Sequence, residues 1–204
     1  MPPHDAFAQV PGQILDDPDE MFDLVDLDDR VIGQVRRGEA HRNPGLIHRS
    51  VQVLVFTHAG QLLLQRRSAS KDLFPGYYCA SASGHVARGE EYAATAEREL
   101  EEELGISSPL TYIGKALVES EPETELTALY ATVSDGPYRF HPTETDGGRL
   151  FAVDEVREGI ERGDLPVTPA LRIAMDELRK HGGETDSSLA AFLARLGSSG
   201  QIGV

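Results

Sequence analysis

Tryptophan is absent from the 204 residues, cysteine occurs once, and basic residues are scarce, 19 Lys and Arg against 34 Asp and Glu. A lone thiol, Cys79, rules out an internal disulfide and cannot by itself build a structural zinc site. Without tryptophan no indole face can cradle a cationic ligand or intermediate. The formal net charge of −15 repels nucleic-acid polymers and anionic lipid surfaces before contact. No apolar run approaches the roughly 18 residues that cross a bilayer, and "MPPHDAFAQVPG" has neither the basic start nor the apolar middle of a signal peptide. A cytoplasmic protein with no membrane partner is expected. Any phosphorylated ligand would need a cation to bridge it to so acidic a chain.

Enough apolar residues are present, 40%, to build a core, and 26% charged residues is ordinary for a folded domain. Residues 1 to 20 are rich in Pro and Asp and are expected to be a flexible lead-in to a domain over 21 to 183; 184 to 204 form a tail with room for a short helix. Phe22, Leu24, Val31 and Ile32 flank the turn "DLDDR" and predict a hairpin. "SVQVLVFT" and "QLLLQRR", joined by "HAG", predict a second one. Residues 68 to 90 read as loop with short extended pieces. Ala93, Ala96, Leu100 and Leu104 recur at helical spacing before Gly105, which predicts a helix over 91 to 104. Strands are expected at 110 to 120, 125 to 134 and 148 to 153, and helices at 153 to 163 and 168 to 183. Strands before and after the first helix imply an α/β fold with a mixed sheet between helices.

That helix carries "ERELEEELG", five glutamates within seven residues. At about 100° per residue, Glu99, Glu102 and Glu103 share one face. Glu99 and Glu103 repel at i,i+4 by about 0.2–0.5 kcal/mol, and glutamates in a last turn oppose the helix dipole by about 0.3–1 kcal/mol each. A solvated acidic face is one reading of such a run. The other is a cluster of hard oxygen ligands for a divalent cation, which would turn repulsion into binding.

The flanking residues favour the second reading. From Gly84 to Ile106, "GHVARGEEYAATAERELEEELGI" carries Gly84, Glu90, Arg98, Glu99, Leu100, Glu102, Glu103, Gly105 and Ile106 at the spacing G-x5-E-x7-R-E-U-x-E-E-x-G-U. This resembles the Nudix box, and the resemblance implies an α/β/α sandwich. It also implies Mg²⁺ or Mn²⁺ held by Glu99, Glu102, Glu103 and the carbonyl of Gly84. Glu90 and Arg98 resemble the pair that orients the loop against the helix. The implied reaction is hydrolysis of a small diphosphate compound, with Glu102 and Glu103 catalytic. Glu144, in "HPTETDGG", is a candidate to take the proton of the attacking water, or else an exposed loop acid.

"GLIHRS", "QRRSASKDLFPGYY" and "SGH" are similar to a narrower branch, the isopentenyl-diphosphate isomerases and the hydrolases most like them. There Arg67 and Lys71 fall at diphosphate-binding positions, although surface cations would look the same. His41, His48, His85, Glu123 and Glu125 fall at positions resembling the isomerase metal ligands, and their role stays open. The isomerase pattern has cysteine where this chain has Ser83, a far weaker acid. It also uses a tryptophan, and its acidic box is eroded. Hydrolysis is therefore the expected activity; isomerisation and ligand sensing without turnover are the alternatives.

Overall fold

In the computed structural model the described residues are 7–9, 17–69, 71, 73–140, 145–182 and 191. In chain order they form β1 (Phe7–Gln9), β2 (Met21–Val25), β3 (Val31–Arg36), α1 (Arg37–Ala40), β4 (His48–Phe56), β5 (Gln61–Arg67), β6 (Tyr78–Cys79) and β7 (Ala82–His85). There follow α2 (Tyr92–Leu104), β8 (Thr111–Ser120), β9 (Glu123–Val133), β10 (Tyr138–Phe140), β11 (Thr145–Ala152), α3 (Val153–Arg162) and α4 (Pro169–Gly182). The mixed sheet between helices is present. The tail lies outside the described residues apart from 191.

β4 organises the molecule because it is buried almost throughout, only Arg49 being partly open. Its β-branched residues Val51, Val53 and Val55 pack against Ala96, Leu100 and Leu104 of α2. Leu54 and Phe56, on the opposite pleat, pack against Val156 of α3 and Leu171, Ala174 and Leu178 of α4. The strand thus divides one hydrophobic core into two layers. β9 runs parallel to it in unbroken register from His48↔Glu125 to Phe56↔Val133, and β8 covers the far edge of β9.

On its other side β4 forks from β5. Only Val55↔Leu63 and Phe56↔Leu62 are paired; beyond them β7 takes over the edge of β4 and β6 that of β5. The fork is plugged by Ser81, which is fully buried. Its hydroxyl accepts from the Val55 N–H at 2.8 Å and donates to the Leu63 carbonyl at 2.5 Å. Two backbone groups that parting strands would orphan are satisfied by one side chain.

Several details depart from the periodicity. The α2 stripe runs through Thr95, Ala96, Leu100 and Leu104, with Ala93 exposed. Thr95 enters the stripe because its hydroxyl is returned to the Glu91 carbonyl, 3.2 Å away. Gly105 ends the helix in the left-handed conformation at φ 65°, as its position suggests. β1, inside the expected lead-in, pairs with β10; three residues are too few to show a period. Asp29, at φ 63°, anchors the tip of the β2–β3 hairpin by accepting from Arg49 Nε at 2.6 Å, from the Tyr92 hydroxyl at 3.2 Å and from Lys115.

Ser81→Ala should destabilise the fold by about 1–3 kcal/mol, since two buried backbone groups lose their partner. Urea denaturation measures this, and an unchanged midpoint would show that the plug is dispensable.

Candidate active site

Alternation along β7 decides what each of its residues faces. Gly84 points toward α2 so closely that a Cβ there would lie 2.0 Å from Glu99 Oε1. Only glycine leaves room for that carboxylate. Glu99 is therefore driven into a confined space, and burial raises its pKa to about 7. Glu103 is held from the sheet side, accepting from Gln65 Nε2 at 2.7 Å and from the Ser83 N–H at 3.4 Å. Glu102 is the most open of the three, with 45% of its side chain exposed, so a small ligand can reach the face from solvent. Glu97 and Glu101 are exposed to solvent.

Arg98 does more than orient the loop. Its Nε and Nη2 meet the two oxygens of Glu90, each at 3.2 Å, and Glu90 in turn accepts from the Ala87 N–H at 3.3 Å. Meanwhile Nη1 donates to Glu99 Oε1 at 2.7 Å and to Glu102 Oε2 at 3.1 Å. The expected repulsion on the acidic face is thus partly relieved by a cation within the chain itself. The loop also receives the Arg98 Nη2 donation at the His85 carbonyl, 3.4 Å away.

A second cluster lies on the other pleat of β7. One ligand atom each from His41, His48, His85 and Glu123 fall within 4.8 Å of one another. His85 Nε2 stands 3.1 Å from Glu125 Oε1 and 3.2 Å from His41 Nε2; His41 Nε2 stands 3.5 Å from Glu123 Oε2. Phe22 positions the rings, stacking on His48 at 5.0–5.1 Å as it does on His85. Arg37 Nη1 lies 3.2 Å from His85 Nδ1. Because guanidinium can only donate, Nδ1 carries the lone pair and the ring proton sits on Nε2, toward Glu125.

The electrostatics suit a cation. Burial, reinforced by neighbouring His85, depresses His41 to about 3 and His48 to about 4, so both stay neutral and offer lone pairs. Burial and the nearby Glu125 raise Glu123 to about 7. Burial also opposes ionisation of Glu125, but the His85 hydrogen bond outweighs it and holds that carboxyl below the usual range. His48 Nε2 is buried without a hydrogen-bond partner, as is Glu123 Oε2. Unsatisfied, converging nitrogen and oxygen donors are a fitting set for a divalent metal.

Both clusters open into one cleft of about 730 Å³ where β4 and β5 part. Arg67 and Lys71 line it too, as do Gln52, Ser83, Cys79 and the start of α4. Arg67 Nε is anchored on the Leu73 carbonyl at 3.0 Å. Cys79 is partly buried and its thiol, pushed up to about 12 by burial, stays protonated. Glu144 lies outside the described residues. Sequence reading overlooked Gln65, Gln52, Phe22 and Arg37. The polar Ser50 and Gln52 in the otherwise apolar "SVQVLVF" were a usable signal; nothing local announces the other three.

The NUDIX domain family profile matches residues 46–171. The chain belongs to the Nudix hydrolase family. It is 39% identical over 162 residues to an uncharacterized Nudix hydrolase of Pseudomonas aeruginosa, covering 77% of this chain and 94% of the relative. It is also 30% identical over 178 residues to an isopentenyl-diphosphate Delta-isomerase of Serratia proteamaculans, covering 85% and 99%. Among solved structures, DR0079 from Deinococcus radiodurans superposes with a TM-score of 0.68 at 26% identity, covering 77% of this chain and 98% of that one. The Nudix family and the isomerase-like branch read from the sequence both appear among these matches. No helix among the described residues is long and apolar enough to cross a membrane.

Gly84→Ala should force Glu99 off its position. We expect Mn²⁺ affinity to fall by about ten-fold or more, the order seen when ligand geometry is disturbed, with the far-UV circular dichroism unchanged. Mn²⁺ titration followed by electron paramagnetic resonance reads this directly; undiminished affinity would show that Gly84 and Glu99 hold no cation.

Proposed function

We propose that the chain is a Nudix hydrolase dependent on Mg²⁺ or Mn²⁺, cleaving the diphosphate linkage of a small organic or nucleoside diphosphate compound. The observation that carries this reading is the convergence of Glu99, Glu102 and Glu103 on the same cleft as Arg67 and Lys71. Glu99, Glu102, Glu103 and the Gly84 carbonyl would hold one cation, an oxygen-only set that suits Mg²⁺. The mixed set of His41, His48 and Glu123, with Glu125 held beside them by His85, would hold a second, better suited to Mn²⁺ or a softer ion. A bound divalent ion supplies charge neutralisation at phosphate and a water of lowered pKa.

The chain's own residues supply the rest. Arg67 and Lys71 bind the anionic oxygens and fix the diphosphate in the cleft. The Glu103 carboxylate, clamped by Gln65 and the Ser83 N–H, takes the proton of the attacking water. As the new phosphorus–oxygen bond forms, the bridging bond on the far side of phosphorus breaks. Arg98 and Glu90 keep the loop in place while this happens. Glu144, the candidate base read from the sequence, is the alternative to Glu103 for that proton.

The histidine cluster and the Serratia relative favour one second reading, an isomerase of unsaturated diphosphates. Ser83 opposes it: a hydroxyl beside Gly84 is a poor proton donor to an alkene. Incubation with isopentenyl diphosphate in deuterated water separates the two. Deuterium in an allylic product would establish isomerisation, whereas release of phosphate or a monophosphate establishes hydrolysis. Tight binding of a ligand that is never consumed would instead mark a sensor.

Two outcomes are expected. Glu103→Gln should lower turnover by about 10²–10⁴-fold, the range for loss of a general base, with the fold intact; full turnover in that variant would refute the assignment. Metal uptake should also release protons in a pH-dependent way. Below pH 7, Glu99 and Glu123 hold protons that a cation must displace, whereas His41 and His48 are already neutral. Mn²⁺ binding should therefore weaken as pH falls from 8 to 6, with about one proton released per centre at pH 6 and little at pH 8. Calorimetry in buffers of different ionisation enthalpy measures this, and equal release at both pH values would contradict it.

A further inference from the structure

The even-numbered residues of β4 change character along the strand. Phe56 and Leu54 belong to the core against α3 and α4, but on the same pleat Gln52, Ser50 and His48 continue as a polar floor. Ser50 is paired, its hydroxyl 2.8 Å from that of Thr127 across the parallel register with β9. Gln52 is different. It is 4% exposed, it lines the cleft, and its Oε1 is buried with no hydrogen-bond partner.

A buried acceptor left unpaired destabilises a fold, and leucine or methionine would occupy this strand position without that penalty. A ligand seated in the cleft that Gln52 lines can supply that partner. Gln52 stands opposite Ser83 in the register with β7, and the Ser83 N–H meets Glu103 Oε2 at 3.4 Å. The carboxamide is thus one strand in from the carboxylate edge, where the portion of a ligand adjoining its diphosphate would lie. Turning the amide by half a turn exchanges its oxygen and nitrogen, and the group facing it would still have to be polar.

We propose that Gln52 reads a hydroxyl or N–H group on the organic portion next to the diphosphate, and so selects polar substrates over purely hydrocarbon ones. This rests on the hydrolase reading for the reaction but not for the binding. A hydrocarbon diphosphate would bury Oε1 against methylene groups. A site built around an acceptor discriminates strongly against an analogue lacking the donor.

The test uses matched pairs of alkyl diphosphates with and without a hydroxyl on the second, third or fourth carbon. Turnover is measured with Mg²⁺, and affinity by calorimetry with Ca²⁺ in its place. The full chain should prefer at least one hydroxylated member by about ten-fold, the order of one hydrogen bond. Gln52→Leu should abolish that preference by losing the hydroxylated compound alone, and its Tm should hold or rise. If Gln52→Leu fails to fold, Gln52→Met serves in its place. An unchanged preference, or no binding of any pair, overturns the proposal. Preference in binding without turnover would sink the hydrolase reading and leave Gln52 standing; turnover without preference would do the reverse.

Discussion

Two strands that part after two residue pairs would leave backbone groups with nothing to bond, and the buried hydroxyl of Ser81, with β6 and β7 on the freed edges, makes the parting tolerable. The acidic face and the histidine cluster both border the cleft at that opening. β6 and β7 exist as separate short strands because β4 and β5 no longer occupy each other's edges. The Ser81 carbonyl also accepts from Gln65 Nε2 at 2.6 Å, and the same amide group reaches Glu103. One side chain at the fork thus connects the integrity of the sheet to the placement of a carboxylate on the neighbouring helix.

From the fork, the pleat of β7 does the sorting. Gly84 admits the carboxylates of α2 on one side, and His85 joins the histidine cluster on the other. Because side chains alternate strictly along a strand, a slip of one residue would present His85 to α2 and a glycine to the histidines. Two chemically distinct donor sets are thereby tied to a single register. They stand within one cleft yet differ in ligand type, oxygen on one side and mixed nitrogen and oxygen on the other.

Much of this was legible in the sequence because it is local. The α2 carboxylates, Arg98, Glu90 and Gly84 stand at fixed spacings within 23 residues, and a helix turns that spacing into a common face. The histidines and Glu123 were visible only as matches to a pattern. What brings His41, His48, His85 and Glu123 together is pairing among β4, β7 and β9 and the insertion of Phe22, none of which any short window contains. Gln65 and Gln52 were missed for the same reason: a glutamine in a strand acquires meaning only when the facing residue is known. Arg98 was seen as an orienting residue, but its second contact, across the acidic face, depends on rotamers that spacing does not specify.

That second contact separates two events that are often fused in metalloproteins. In small zinc domains the ion is the core, and the chain has no structure without it. Here Arg98 already serves as counter-ion to Glu99 and Glu102, so the acidic helix does not need to wait for a metal to become tolerable. Loading of the proposed metal would then be an exchange of one cation for another on a finished scaffold. Changing the identity of the ion would retune the chemistry while leaving the architecture untouched.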